Sequence, residues 1–189
     1  MTNKTLFSSG WYQPAKHRAS SFFNTRPDEY KDNINLLVVH NISLPSENFT
    51  TNCVDDLFMG CLDVTIDPSF ASLRGVEVSA HFFIRRDGEL FQYVSCQERA
   101  WHAGVSSWQG IDGCNDYSIG IELEGTDELA YEPEQYAQLE ILTSDLCAEY
   151  SIPLENIVGH CDIAPERKTD PGTSFDWLSF RANLARKKA

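Results

Sequence analysis

INLLVVHN, Ile34 to Asn41, is an apolar run that stops on a histidine and an amide. A short apolar run without polar alternation fits a strand buried on both faces. Side chains at the end of such a strand enter the clefts that form along a sheet's edge. A second stretch, SIGIELEG from Ser118 to Gly125, sets Ile119, Ile121 and Leu123 against Gly120, Glu122 and Glu124. That period of two predicts a strand with one apolar and one acidic face. Val78–Val94, VSAHFFIRRDGELFQYV, reads as a hairpin about Asp87-Gly88. NIVGH, Asn156–His160, reads as a short strand. Helices are expected over Asp55–Asp63, from Pro133 onward and from about Ser174. Tyr136, Leu139, Leu142 and Leu146 mark the buried stripe of the second; Trp177, Phe180 and Leu184 mark that of the third. Strands alternating with helices, a hairpin among them, predict an α/β or α+β fold: one domain with a central mixed β-sheet flanked by helices. Residues 1–33 are polar and irregular and read as an N-terminal arm packed on the domain formed by residues 34–189.

Composition narrows the function. The chain has 189 residues, 42% of them apolar, which suits one folded domain. A net charge of −13 argues against nucleic-acid binding and against attraction to an anionic membrane. It leaves room for an anionic small substrate, because a metal or a few cations can reverse the field inside a cleft. The N-terminal stretch shows no apolar leader core, and no window approaches the roughly 20 apolar residues of a membrane span. The expected location is the cytoplasm. Six cysteines are scattered with no CxxC pair, so reduced thiols are expected rather than a four-thiolate zinc site.

The chemistry-bearing residues cluster late in the chain. GHCDIAPERKTDPG, Gly159 to Gly172, gathers a histidine, a lysine and an aspartate in one turn-rich segment. His40 and His160 each end a strand, so they can share a metal if those strands are neighbours, with Asp170 as a third ligand. Three protein ligands and an open position make the catalytic kind of zinc site. The segment between His160 and Asp170 contains Pro165 and shows no helical pattern, so it is expected to loop back in extended form. Cys161 would then point away from His160 into the core. Each residue alone has an ordinary alternative: a half-buried histidine for His40, a cap or turn for Asp170. Glu122 can act as proton acceptor and donor beside activated water. Glu124 points to the same face and reads as solvated. Lys168 can stabilise an oxyanion, or be a plain loop cation. Trp101 and His102 in AWHAGVSSWQG either line a ligand cleft or simply pack a loop. His17, between Lys16 and Arg18, reads as surface.

Five segments, LLVVHNISLP, SAHFFIRRDGELFQYV, RAWHAGVSSWQG, CNDYSIGIELEGTD and GHCDIAPERKTDPGTSFDW, together resemble the AmpD-type N-acetylmuramoyl-L-alanine amidases. These are cytoplasmic zinc enzymes of cell-wall recycling, related to peptidoglycan recognition proteins and phage amidases. The resemblance runs from about Gly10-Trp11 to Trp177. It implies one zinc ion held by His40, His160 and Asp170, with Glu122 as catalytic acid/base and Lys168 stabilising the transition state. It implies a 1,6-anhydro-N-acetylmuramyl peptide as substrate, cut between the lactyl group and L-alanine. Asn41, Trp101, His102, Arg74 and Arg99 are the expected substrate contacts. The two arginines are candidates because Gly113 and Glu77 stand where some members carry arginines associated with the peptide carboxylates. The expected partner is a small-molecule muropeptide, with neither nucleic acid nor membrane, and the expected state is a monomer. Three alternatives remain beside this one: a non-catalytic module binding peptidoglycan fragments, an amidase acting on intact wall, and a Cys-His hydrolase using Cys161, for which no base is placed.

Overall fold

The computed structural model describes residues 6–188. The first five residues, part of the stretch in which no leader was read, lie outside the described residues. Six strands form one sheet: β1 (Lys16–His17), β2 (Leu36–Ile42), β3 (Phe82–Ile84), β4 (Leu90–Gln92), β5 (Ser118–Glu124) and β6 (Ile157–Gly159). Their order across the sheet is β6-β2-β5-β3-β4-β1. Strands β6, β2, β5 and β3 run parallel. β3 and β4 make the antiparallel hairpin expected around Asp87-Gly88. Helices α1 (Cys53–Phe58), α2 (Pro133–Tyr150), α3 (His160–Ile163) and α4 (Trp177–Lys188) complete the expected mixed-sheet, α+β domain.

The period of two along β2 sorts its side chains between two cores. Leu37 and Val39 join Ile119 and Ile121 of β5 under Leu139, Leu142 and Leu146 of α2 and Phe180 of α4. Leu36 and Val38 face the other way, with Val158, Ala103, Cys114 and Ile163. His40 follows Leu36 and Val38 at the same spacing, so it emerges on that second side. In β5, Ser118, Gly120 and Glu122 pair in register with Leu36, Val38 and His40, and share their face.

Four local expectations change. All seven residues of β5 are buried, so its acidic face is not solvated. The strand has β2 on one side and β3 on the other, and loops cover the face that polar residues had marked as open. Glu124 is buried and accepts the Arg86 N–H at 3.0 Å. The stretch after His160 is a helical turn, not extended chain: Ala164 N–H donates to His160 O and the Asp162 carboxylate accepts Gly159 N–H at 2.7 Å. One turn is too short to show periodicity, and it leaves Cys161 half-buried rather than in the core. Helix α1 spans Cys53–Phe58 rather than Asp55–Asp63. Helix α4 begins at Trp177, because the Asp176 carboxylate, not Ser174, accepts an N–H of its first turn, from Ser179 at 2.9 Å.

The first 33 residues do more than wrap. Lys16–His17 extend the sheet beside β4, and Phe23–Thr25 pair antiparallel with Glu98–Ala100. Arg26 is 1% exposed and donates to the carbonyls of Cys96, Asn115, Asp116 and Ser118, the last at 2.8 Å. The arm is thereby anchored to the start of β5. No disulfide joins the six cysteines.

Candidate metal centre and active site

Strand register builds the site. β6 pairs with β2 so that Gly159 lies opposite Val39, and each is followed by a histidine, His40 still within β2 and His160 at the start of α3. β5 pairs with β2 so that Glu122 lies opposite His40. His160, His40 and Glu122 therefore form one row at the C-terminal ends of three adjacent parallel strands, where open α/β sheets place ligands. The loop after α3 returns Asp170 to this row, its carbonyl accepting Cys161 N–H at 2.9 Å. Pro165 and the turns around it make that return.

Three donor atoms converge. His40 Nδ1 is 2.9 Å from His160 Nδ1 and 3.1 Å from Asp170 Oδ2, and His160 Nδ1 is 3.0 Å from the same oxygen. All three residues are buried. Donors around a tetrahedral ion with bonds of about 2.0 Å sit about 3.3 Å apart, so the triangle has the right size for a small divalent metal. The protonation pattern agrees. His160 Nε2 lies 3.1 Å from Ala103 O, which can only accept. This contact takes a proton on Nε2 of His160 and leaves Nδ1 turned toward Asp170 Oδ2. Burial pushes His40 down to about 4, which keeps its imidazole neutral and able to ligate. The three atoms could therefore hold a small divalent cation among them.

Glu122 stands beside this triangle, 8% exposed, and its Oε2 has no hydrogen-bond partner among the described residues. Burial raises its carboxyl well above the usual range; the charge of Asp170 adds to this, and Lys168 opposes it. A carboxyl with a raised pKa and a free oxygen suits proton shuttling. Lys168 is half-buried, and with Asp170 it lines an open cleft of about 620 Å³. Asn41, Ser43, Thr126 and Asp127 form the opposite wall. A β-carbon on Gly172, whose φ is +84°, would fall 2.1 Å from Asp127 Cα. Glycine at that point of the DPG turn lets the turn pack directly on the Asp127 backbone.

The family model for N-acetylmuramoyl-L-alanine amidases matches residues 30–173. The chain belongs to this amidase family. It is 54% identical over 177 residues to the 1,6-anhydro-N-acetylmuramyl-L-alanine amidase AmpD of Citrobacter freundii, covering 94% of each chain. To AmpD of Escherichia coli it is 50% identical, over 96% of this chain and 98% of that one. A crystal structure of a selenomethionine AmpD derivative superposes with a TM-score of 0.91 at 54% identity, covering 95% of this chain and 99% of that one. The amidase AmiD of E. coli, solved with the substrate anhydro-N-acetylmuramic acid-L-Ala-D-γ-Glu-L-Lys, is similar at 31% identity and a TM-score of 0.60, over 94% of this chain and 65% of that one.

In this amidase the expected substrate contacts separate. Only Asn41 lines the cleft beside Asp170, its amide donating to Asp127 Oδ1 at 2.8 Å. Trp101 stacks on Phe22 and donates its indole N–H to Asn24 Oδ1 at 2.6 Å, so it holds the N-terminal arm. Arg99 is ion-paired with Asp116 and bonded to Asn24. Arg74 is exposed just past the turn Pro68–Leu73, outside the residues lining the cleft. His102 packs behind His40, its Nδ1 2.9 Å from His40 Nε2. Trp101 and His102 were expected in the cleft from their loop, and Arg74 and Arg99 in place of arginines of the resembled family; neighbours distant in sequence take up Trp101, His102 and Arg99. Sequence reasoning missed Ser43, Thr126, Asp127 and Arg167 in the cleft wall. The signal was available, since Gly125-Thr126-Asp127 directly follows the C-terminal end of a parallel strand.

Proposed function

We propose that this amidase hydrolyses, with zinc, the amide joining the lactyl group of 1,6-anhydro-N-acetylmuramic acid to L-alanine in muropeptides, a reaction of peptidoglycan recycling. His40 Nδ1, His160 Nδ1 and Asp170 Oδ2 would hold the ion. Zinc, when bound, supplies a Lewis acid that polarises a carbonyl and makes water acidic near neutral pH. Glu122 takes the proton of the attacking water on Oε2 and passes it to the departing alanine nitrogen, which an amide needs because the unprotonated amine leaves poorly. Lys168 offsets the charge that develops on the carbonyl oxygen. The polar cleft walled by Asn41 and Asp127 receives the muropeptide.

The observation that carries this reading is the triangle of two Nδ1 atoms and one Oδ2 beside a buried carboxyl oxygen with no partner. The anhydro sugar and the peptide are those of the similar amidases, AmpD of Citrobacter freundii and AmiD of E. coli with its bound substrate. The cytoplasm is the location that goes with this substrate; among the described residues no helix is long and apolar enough to cross a membrane. The test incubates the metal-replete protein with anhydromuramyl tripeptide and with its reducing-sugar counterpart, each with and without chelator. Chelator-sensitive release of free tripeptide from the anhydro form is expected. Binding without release would make the protein a recognition module, and equal turnover of both sugars would remove the anhydro preference.

A further inference from the structure

The two metal-facing imidazoles are backed by consecutive residues of one loop. His40 turns Nε2 toward His102 Nδ1 at 2.9 Å, and His160 turns Nε2 toward the carbonyl oxygen of Ala103 at 3.1 Å. His102 in turn places its own Nε2 3.1 Å from Ser118 Oγ. A neutral imidazole has one donor and one acceptor nitrogen and the Ser118 hydroxyl can play either part, so the chain can run in two directions. With Ser118 accepting from His102 Nε2–H, His102 Nδ1 is an acceptor. It takes the proton of His40 Nε2 and leaves Nδ1 of His40 bare. The Ala103 carbonyl does the same for His160.

A second layer holds the loop. The buried Asn115 side chain uses one oxygen to accept both His102 N–H, at 3.1 Å, and Ala103 N–H, at 2.8 Å. Arg167 adds a donation to Ala103 O at 2.8 Å. Strand β5 makes the space: a β-carbon on Gly120 would lie 2.4 Å from His102 Cγ. Ser118, Gly120 and Glu122 are thus three consecutive positions on one face of β5, serving as acceptor for His102, space for His102 and proton carrier. Partners of this kind, which fix the tautomer of a ligating imidazole, commonly contribute 10–100-fold to metal affinity.

We propose that residues 102 and 103, clamped by Asn115, set the tautomers of His40 and His160, so that both present Nδ1 to the metal. His102 and Asn115 are positioning residues in this scheme. The proposal rests on the metal reading of the site but not on which muropeptide is cleaved.

The experiment measures zinc affinity of the full chain by chelator competition, and the d–d absorption of the cobalt-loaded protein, with no substrate present. His102→Leu removes the acceptor, while His102→Asn keeps an oxygen near the place of Nδ1. Asn115→Leu removes the clamp, while Asn115→Asp keeps it. The Leu variants are expected to bind zinc about 10–100-fold more weakly and to alter the cobalt spectrum, with the Asn and Asp variants close to wild type. Ser118→Ala, a small change in a buried site, carries the test if a Leu variant does not fold, and weaker zinc binding is expected from it too. Wild-type affinity in the folded Leu variants or in Ser118→Ala would overturn the proposal, as would equal losses in the Leu and Asn variants of His102. Wild-type protein that takes up no zinc would instead overturn the metal reading beneath it.

Discussion

Glu122 and His40 occupy the same register position on adjacent parallel strands, and their side chains emerge on the same face. Neighbouring strands lie about 4.8 Å apart, so the backbone itself holds the carboxyl beside the imidazole. No loop needs to close to bring Glu122 beside His40.

Glu122→Gln keeps the shape of this arrangement and removes the carboxyl proposed to carry the proton. Steady-state kinetics on an anhydromuramyl peptide should show kcat lower by about 10²–10⁴, with zinc content unchanged. A variant that turns over at the parent rate would assign the proton transfers elsewhere.

Asp170→Ala removes the oxygen that both Nδ1 atoms face. Purified variant should contain little zinc and show no amidase activity. Stoichiometric zinc by elemental analysis would take Asp170 out of the ligand set.

Lys168→Ala removes a cation of the cleft wall whose charge acts on Glu122. A rate loss of about 10²–10³ is expected with zinc retained. Undiminished turnover of the tripeptide substrate would leave Lys168 a loop cation.

Arg26→Met deletes a buried guanidinium that serves four carbonyls. Burial lowers its pKa to about 10, which still leaves it charged at neutral pH. Each stranded carbonyl costs roughly 1–3 kcal/mol, so urea melts should show a loss of at least about 3 kcal/mol. A loss under about 1 kcal/mol would mean that water replaces the guanidinium at little cost.

His81 is buried beside Arg26 and accepts Gly120 N–H on Nδ1 at 3.0 Å. Burial, with the Arg26 charge adding to it, pushes this histidine down from its ordinary 6.5 to about 3. Below about pH 6.5 the unfolded chain binds a proton that the folded chain refuses. Stability is therefore full above that pH and falls toward pH 3, by about 1.4 kcal/mol per pH unit for this one proton. His81→Asn lacks that proton, so its stability deficit relative to wild type should shrink as pH falls from 6.5 to 4.5. A deficit that stays constant across that range would show His81 to be charged in the fold or reached by water.

Much of the fold was legible because its signals are local. The run Leu36–Val39, the Asp87-Gly88 turn and the stripe of α2 from Tyr136 to Leu146 each lie within one element, and each appears where its pattern predicts. The expectation that two histidines each end a strand held only roughly: β2 continues past His40 to Ile42, and His160 opens α3 just after β6. Less local matters were not legible. The polar face of β5 looked solvated because alternation distinguishes two faces without telling what covers them. The roles of Trp101, Arg99 and His102 depend on Asn24, Asp116 and His40, which are 77, 17 and 62 residues away.

By itself, then, the order of amino acids determined which segments become strands and helices, and which side chains have the chemical type to ligate a metal or transfer a proton. The tertiary structure alone decided that β2 lies between β5 and β6, and in what register. Side-chain periodicity is a property of one strand, whereas register depends on how distant strands bury their apolar faces together. That pairing set His160, His40 and Glu122 in a single row and turned residues 102, 103 and 115 into its support.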